Sequence, residues 1–490
     1  MATELQRQSA GELAALVGSG AVSAVELTRS FLDHAERLDA LVNALCTINP
    51  RALEEAGACD QRIRSGLPAR PLEGVPFVAK DNLHTRGLRT TFGSRILADF
   101  VPDVDSVAVE RLRQAGAVLL GKTNTPEFAH DINTTNDLFG TTRNPRDLNR
   151  SAGGSSGGTA AAIAAGMAPI GLGTDLGGSV RIPAAFCGIA SIRPVPGRVP
   201  VYPSDFGWDT LVEHVHGPMA RSVSDLGRML AVLAGPDDRD PGSLPAQDAD
   251  YRLAVSGRVD LKGRRVAYSP DLGGLVPVDP EVERRVSAAV KVLEDLGCLV
   301  EEDCFDASDL PEIRAGTRGF GMVARYADYM AQHADDMTPV LRRQVEQGLA
   351  IDVRTVTQAE RLRTLYWHRV RCFLERYDYI VTPSVGVAAF RLDQPLPDVV
   401  GARKTGRYRE AFLFSYAFSV TGLPCASVPC GTTSDGLPVG LQIVGRRFCE
   451  DRVLEAAAAY SAATSGLNPG PGINLESRAW ASATPLTDFP

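Results

Sequence analysis

The sequence predicts an α/β protein built around a central β-sheet. Three observations point there. Short apolar runs recur along the chain, at 74–80, 117–120, 169–173, 379–382, 425–429 and 439–444. Stretches with apolar residues at helical spacing lie between them. The 490 residues are 44% hydrophobic and 22% charged, a globular balance with enough apolar material for a large core.

The elements follow in order. Ser9 with Glu12, and Ser23 with Glu26, read as capping boxes that open two helices. After Ser23, Leu27, Phe31, Ala35 and Leu38 make one apolar face. Residues 74–80 (GVPFVAK) read as a buried strand running into a loop. Residues 106–114 read as a helix and 117–120 as a short strand. A polar, Gly-rich stretch over about 134–158 precedes a small-residue helix at 159–166 and a strand at 169–173. From about 220 to 380 the chain turns charged, helical in period and Gly-poor, for example at 280–296 and 361–377. Strands alternating with helices predict a sheet-centred fold. No Pro/Ser-rich linker or repeat divides the chain. Residues 1–490 therefore read as one domain, with a core at about 70–200, a helical cap at about 220–380 and a surface tail at 466–490.

Composition excludes several function classes. The net charge is −8, which gives no general attraction to nucleic acid or anionic membranes. Seven histidines without an H-E-x-x-H pattern disfavour a zinc hydrolase. Nine cysteines, without a C-x-x-C pair, argue against a disulfide framework and for a reducing cytoplasm. The first ten residues lack the pattern of a signal peptide, and no apolar run reaches the ~20 residues that span a bilayer.

Two short motifs are literal matches in the wrong context. Gly116 to Thr123 fits G-x-x-x-x-G-K-[ST], but its intervening Val and Leu residues read as the strand itself, and Pro126 interrupts a following helix. Gly154 to Gly158 fits G-x-S-x-G, but polar residues precede it where a hydrophobic strand is needed.

A longer pattern resolves the region. Gly153-Gly-Ser-Ser-Gly-Gly158 is followed by Gly171-Leu-Gly-Thr-Asp-Leu-Gly-Gly-Ser-Val-Arg-Ile-Pro183, with Lys80 upstream in GVPFVAKDN. Gly121-Lys-Thr-Asn-Thr-Pro-Glu-Phe128, Arg143-Asn-Pro145, Phe186-Cys-Gly188, the run from His216 to Val223 and the run from Asp435 to Gly445 fall in the same order. Over residues 5–465 the chain resembles the amidase signature family of serine hydrolases. The resemblance implies a central twisted mixed sheet flanked by helices on both faces, with a helical cap. It implies a Ser–cis-Ser–Lys triad in which Ser179 is the nucleophile, Ser155 the bridging serine and Lys80 the base. The N–H groups of Leu176, Gly177, Gly178 and Ser179 become the oxyanion-hole candidates, because Gly177 and Gly178 let successive N–H groups converge. Thr174, Asp175 and Arg181 read as structural supports. Ser156 reads as the cap of the next helix, and His214, His216 and Cys187 as packing.

The chemistry is coherent. A free lysine of pKa ~10.4 is neutral in only about one molecule in ~800 at pH 7.5, so a lysine base must be desolvated. The apolar residues 75–79 can supply that burial. The resemblance places Ala129, His130, Asp131 and Ile132 on one wall of the acyl pocket. The family-atypical loop 199–215, with Tyr202, Phe206 and Trp208, is expected at the entrance, favouring bulky neutral groups. Thr125-Pro126 stands where the A-type chain of the tRNA-dependent amidotransferases usually has Met-Asp, which favours a free-standing amidase. The implied activity is cofactor-free hydrolysis of a neutral amide, anilide or carbamate, with no nucleic-acid or membrane partner; homodimers are common in the family. An amidotransferase A-type chain that passes ammonia to a partner and an inactive scaffold are the rival readings.

Overall fold

The computed structural model describes residues 4–204, 214–256, 259–394, 396, 399–401, 403, 404 and 408–465. Its centre is an eleven-stranded sheet. In chain order the strands are β1 (Leu45–Ile48), β2 (Pro76–Lys80), β3 (Val118–Thr123), β4 (Ile170–Asp175), β5 (Ala190–Arg193), β6 (Val215–Ala220), β7 (Arg265–Tyr268), β8 (Leu299–Glu302), β9 (Tyr379–Pro383), β10 (Cys425–Thr432) and β11 (Pro438–Gly445). From edge to edge they run β1-β3-β2-β4-β6-β5-β10-β11-β9-β7-β8. Strand β2 pairs in parallel with β3 and β4, and β7 in parallel with β8 and β9. The other pairings are antiparallel, so the sheet is mixed.

Burial explains the composition of the central strands. Every residue of β2, β3 and β4 is buried, so these strands carry continuous rather than alternating apolar patterns. The small-residue helix Gly157–Ala164 is buried at all eight positions and packs on the sheet and on the helix Ala24–Val42. Its residues must be small because backbone lies against it. A Cβ at Gly158 would meet Asn124 N and O, each at 2.5 Å.

Both expected N-terminal caps form, one of them in part. Ser9 and Glu12 close a full capping box, whereas Ser23 only accepts the Glu26 N–H, at 3.0 Å. The charged stretch 220–380 is less uniform than its sequence suggests. It contributes β7 and β8 to the sheet, and the purely helical part is the bundle Leu310–His333, Pro339–Leu349 and Val353–Phe373. This bundle packs Met322, Tyr326, Leu341 and Val345 against Phe128. The bundle therefore stands over the loop that follows β3. The literal phosphate-loop motif is strand β3 itself, and the tail 466–490 lies outside the described residues. Among the described residues no helix is long and apolar enough to cross a membrane.

Gly158→Ala tests the close approach of backbone to the small-residue helix. Alanine gains up to ~1 kcal/mol as a helix former, but overlap with fixed backbone costs ~1–3 kcal/mol. Urea denaturation should show a net loss of stability; an unchanged or raised midpoint would contradict the packing described.

Candidate active site

Parallel strands β2 and β4 end side by side, and their carboxyl ends carry Lys80, Thr174 and Asp175. Such ends are where open α/β sheets place their sites. The Lys80 ammonium group is fully buried. Its Nζ donates to Ser155 Oγ at 2.7 Å and to Thr174 Oγ1 at 3.0 Å. Burial drives its pKa well below the ordinary lysine value, with Asp175 pulling the other way. Thr174 Oγ1 also accepts from Asn82 Nδ2 at 3.0 Å. The peptide bond between Gly154 and Ser155 is cis, as the resemblance implies.

Ser155 and Ser179 both line one cavity of about 700 Å³. Among the described residues the Ser179 hydroxyl makes no hydrogen bond, while its carbonyl accepts the Ser156 N–H at 3.1 Å. Ser156 occupies the N-cap position of the helix Gly157–Ala164, yet its hydroxyl does not cap. The Ser156 Oγ instead donates to Thr174 O at 3.2 Å and accepts from Thr174 N at 3.3 Å. This serine ties the glycine loop to β4 rather than to its own helix.

The four oxyanion-hole candidates are not equivalent. Gly178 N–H donates to Asp175 Oδ1 at 2.8 Å, so it is already committed. Gly178 also adopts φ of +123°, a region that favours glycine. Leu176, Gly177 and Ser179 line the cavity, and among the described residues their N–H groups have no protein acceptor. The carboxylate that takes Gly178 also takes Val180 N at 3.2 Å, Arg181 Nη2 at 2.9 Å and Arg181 Nε at 3.1 Å. Arg193 Nε lies 3.6 Å away. Burial opposes the Asp175 carboxylate, but Arg181, Arg193 and the Gly178 N–H outweigh it and hold the pKa at about 2. Arg181 then donates to Ser415 O and Gln442 Oε1, both at 2.8 Å.

Ala129, His130, Asp131 and Ile132 line the cavity. Phe128 and Ala129 both have positive φ, which turns the chain into the wall. Arg318 Nη2 donates to His130 Nδ1 at 3.1 Å, so Nε2 carries the imidazole proton and donates to Tyr326 OH at 2.9 Å. Burial, with Arg318 and Arg325 nearby, keeps His130 well below its ordinary pKa. Burial likewise lowers His214 to about 3 and His216 to about 4, so both are neutral in the wall.

Tyr202 does not line the cavity. Its ring lies under the Arg239 guanidinium at 5.0 Å, while its neighbours Val201 and Pro203 face the cavity. Phe206 and Trp208 lie outside the described residues. The described wall carries aromatic rings from elsewhere in the chain, among them Phe92, Phe100, Phe412 and Tyr416, together with four arginines, Arg314, Arg318, Arg325 and Arg447. Sequence reasoning missed these arginines. The signal was there in the helix 310–333, where 314, 318 and 325 recur on one face.

Residues 26–454 match the family model for Amidase. The chain belongs to the amidase signature family. Its fold is that of a bacterial aryl acylamidase of the same family, with a TM-score of 0.87 at 29% identity over 94% of this chain and 97% of that one. It is 37% identical over 486 residues to the A-type chain of a glutamyl-tRNA(Gln) amidotransferase from Moorella thermoacetica, covering 94% of this chain and 97% of the relative. It is 35% identical over 476 residues to an acylamidase from Rhodococcus erythropolis, covering 95% and 98%. This amidase is thus a hydrolase of carbon–nitrogen bonds.

Asp175→Asn should destabilise this amidase by ~3–5 kcal/mol, because it leaves the buried Arg181 charge without its anion. The pH dependence follows from the lowered pKa. The Asp175 contribution is complete above the unfolded value of ~3.9 and is lost as pH falls toward 2. Urea titrations at pH 7 and pH 3 check both statements: the gap between wild type and variant should narrow in acid. A gap that is equal at both pH values would refute the role given to Asp175.

Proposed function

We propose that this amidase cleaves an amide-type C–N bond through an acyl-enzyme on Ser179, with Ser155 as proton bridge and Lys80 as base. The observation that carries the reading is the 2.7 Å contact between Lys80 Nζ and Ser155 Oγ at a fully buried position. A desolvated lysine favours its neutral form, which can take a proton at neutral pH.

The Ser179 hydroxyl attacks the substrate carbonyl carbon. Its proton passes to Ser155, whose own proton passes to neutral Lys80. The carbonyl oxygen becomes an oxyanion that accepts from the N–H groups of Leu176, Gly177 and Ser179. The tetrahedral adduct then breaks its C–N bond. The leaving nitrogen takes the proton back from Lys80 through Ser155, and the amine departs. A water molecule repeats the sequence on the acyl-enzyme and releases the carboxylic acid. The nine unpaired cysteines support a reducing, cytoplasmic setting.

A second reading is an amidotransferase A-type chain, favoured by the 37% identity to one such protein. Thr125-Pro126 favours the free-standing enzyme. The purified chain alone should hydrolyse an anilide or amide; activity that emerges only on adding a partner protein would favour the second reading.

Ser179→Ala should lose covalent labelling by a fluorophosphonate and lower kcat by at least ~10³. Labelling retained at Ser155 or Ser156 would overturn the assignment. Lys80→Ala should remain folded and be nearly inactive at neutral pH. The wild-type kcat should rise with pH as the remaining protonated Lys80 is lost. The stability test has a definite sign. A folded pKa lowered below the unfolded ~10.4 means that the unfolded chain binds the proton more tightly. Folding is therefore penalised below ~10.4, and stability rises with pH between the folded and unfolded values. Lys80→Ala should lack that rise in urea titrations; an identical pH slope in both proteins would contradict a neutral Lys80.

A further inference from the structure

Three residues outside the described cavity lining, Glu127, Thr338 and Gln344, tie the helical bundle to the cavity wall. Glu127 is buried, with its carboxylate shared between two elements. Its Oε1 accepts from Ser94 Oγ at 2.7 Å. Its Oε2 accepts from Thr338 N at 2.8 Å and from Thr338 Oγ1 at 2.6 Å. Thr338 is the N-cap of the helix Pro339–Leu349, whose N3 position is Leu341. Leucine cannot return a carboxylate to the cap. Glu127 therefore supplies, from the loop after β3, what a Glu at N3 supplies in a capping box. Gln344 makes a second tie ~9 Å further along the same helix. Its Nε2 donates to His130 O at 3.0 Å and its Oε1 accepts from Arg318 Nη2 at 2.6 Å.

The two ties bracket a turn that needs holding. Phe128 and Ala129 have φ of 46° and 66°, a region that residues other than glycine rarely adopt. Beyond the turn, the chain lies against the glycine loop. At Gly154 a Cβ would meet Asp131 O at 2.6 Å and Ile132 C at 2.7 Å. Thr134 Oγ1 donates to Gly153 O at 2.8 Å and accepts from Gly157 N at 3.1 Å. The loop that carries Ser155 is thus seated on residues 131–134, and Ser155 Oγ in turn accepts from Lys80 Nζ at 2.7 Å. A continuous path of contacts runs from the helix 339–349 through residues 127–134 to the Lys80–Ser155 pair.

We propose that Glu127, Thr338 and Gln344 are positioning residues: by clamping the turn 127–130 they hold the glycine loop so that the Ser155 hydroxyl meets Lys80 at reaction distance. The inference rests on the acyl-enzyme reading and adds to it residues that act without touching substrate. A displacement of about 1 Å at a reacting group costs up to ~10²-fold in rate. Loss of the clamp therefore falls on kcat more than on KM.

The purified full chain is assayed with 4-nitroacetanilide, and in parallel labelled with a fluorophosphonate. Labelling run to completion counts active sites, so a fall in folded fraction does not enter kcat. Glu127→Gln places amide N–H donors against those of Thr338, and Gln344→Leu removes the second tie. Each should lower kcat per labelled site at least ~10-fold, with KM changed less than ~3-fold. Thr338→Val should lower kcat at least ~3-fold, and Thr338→Ser, which keeps the hydroxyl, should restore it to within ~2-fold of wild type. The labelling rate at saturating reagent should fall in step, and either readout decides by itself. Asp352→Ala removes an N-cap elsewhere in the bundle, where Asp352 Oδ1 accepts from Thr355 N at 2.8 Å, and should leave kcat unchanged. If Glu127→Gln does not fold, Gln344→Leu and the Thr338 pair decide. Wild-type kcat in Gln344→Leu and Thr338→Val overturns the inference. So does a loss carried by KM alone, a Thr338→Ser as impaired as Thr338→Val, or an equal loss in Asp352→Ala. Turnover by wild type without label at Ser179 would instead overturn the acyl-enzyme reading. The positioning role would then be decided by kcat normalised to folded protein from near-UV circular dichroism.

Discussion

The Asp175 carboxylate is the interaction on which the site's geometry depends. An anion with no exposure to water survives only if the protein replaces its hydration. Here the replacement comes from Arg181, Arg193 and the N–H groups of Gly178 and Val180. Each donor has a second consequence. The two N–H bonds draw the segment 176–180 around the carboxylate, which fixes the positions of Ser179 and its neighbours. Arg181 reaches on to Gln442 of β11 and to Ser415, so the loop is anchored to the C-terminal part of the sheet. Asp175 also faces Lys80, and a lone carboxylate there would favour the ammonium. Two guanidinium groups share it, and burial outweighs its pull on Lys80.

The legible parts of the fold were those where burial and pattern coincide. Residues 74–80, 379–382, 425–429 and 439–444 are central strands with every position inside, so apolar runs revealed them. The missed strands had no such pattern. Leu299–Glu302 is an edge strand with three exposed positions, and its Glu residues read as surface helix. Ala190–Arg193 is fully buried yet carries Ser191 and Arg193, because the arginine serves Asp175 rather than water. The glycine-rich region was legible as a candidate site through a long ordered pattern of motifs, which singled out Lys80 and Ser155, with Thr174 read as a structural support. Two details were not legible. Nothing in the order of residues says that the Ser156 hydroxyl bonds to β4 or that Gly178 N–H is already taken. Both depend on how β4 is registered beside the loop.

The cavity wall draws on parts of the chain that the sequence reading did not connect to it. Of the aromatic residues expected at the entrance, Phe206 and Trp208 lie outside the described residues and Tyr202 does not line the cavity, whereas Arg314, Arg318 and Arg325 reach the wall from a helix about a hundred residues further on. Charge on an amphipathic helix usually marks its solvent face. Here the bundle 310–373 stands over the cavity, so a polar face of its first helix is turned inward. Only the tertiary arrangement distinguishes the two situations. The same guanidinium groups, together with burial, keep His130 and His214 neutral, so the wall offers donors without offering competing acids near the serines.

A comparison inside the sheet isolates what makes Lys80 chemically distinct. Lys122 lies on the adjacent strand β3, where it pairs with Ala79, and it too is fully buried. Yet burial takes its pKa only to about 8, with Asp81 opposing the shift. Its ammonium donates to the Leu83 carbonyl and to the hydroxyls of Thr85 and Thr90, which satisfies all three of its protons. Every acceptor belongs to the segment 83–90, so this lysine of the literal phosphate-loop motif holds a loop in place. Lys80 has two hydroxyl acceptors, Ser155 and Thr174, and the carboxylate beyond them is shared by two arginines. Two buried lysines, one strand apart, thus differ in what surrounds the ammonium: three acceptors in one loop and Asp81 for Lys122, two hydroxyls and the arginine-paired Asp175 for Lys80. Desolvation alone does not mark a lysine for proton transfer; at Lys80 the added feature is contact with Ser155, a hydroxyl that lines the cavity.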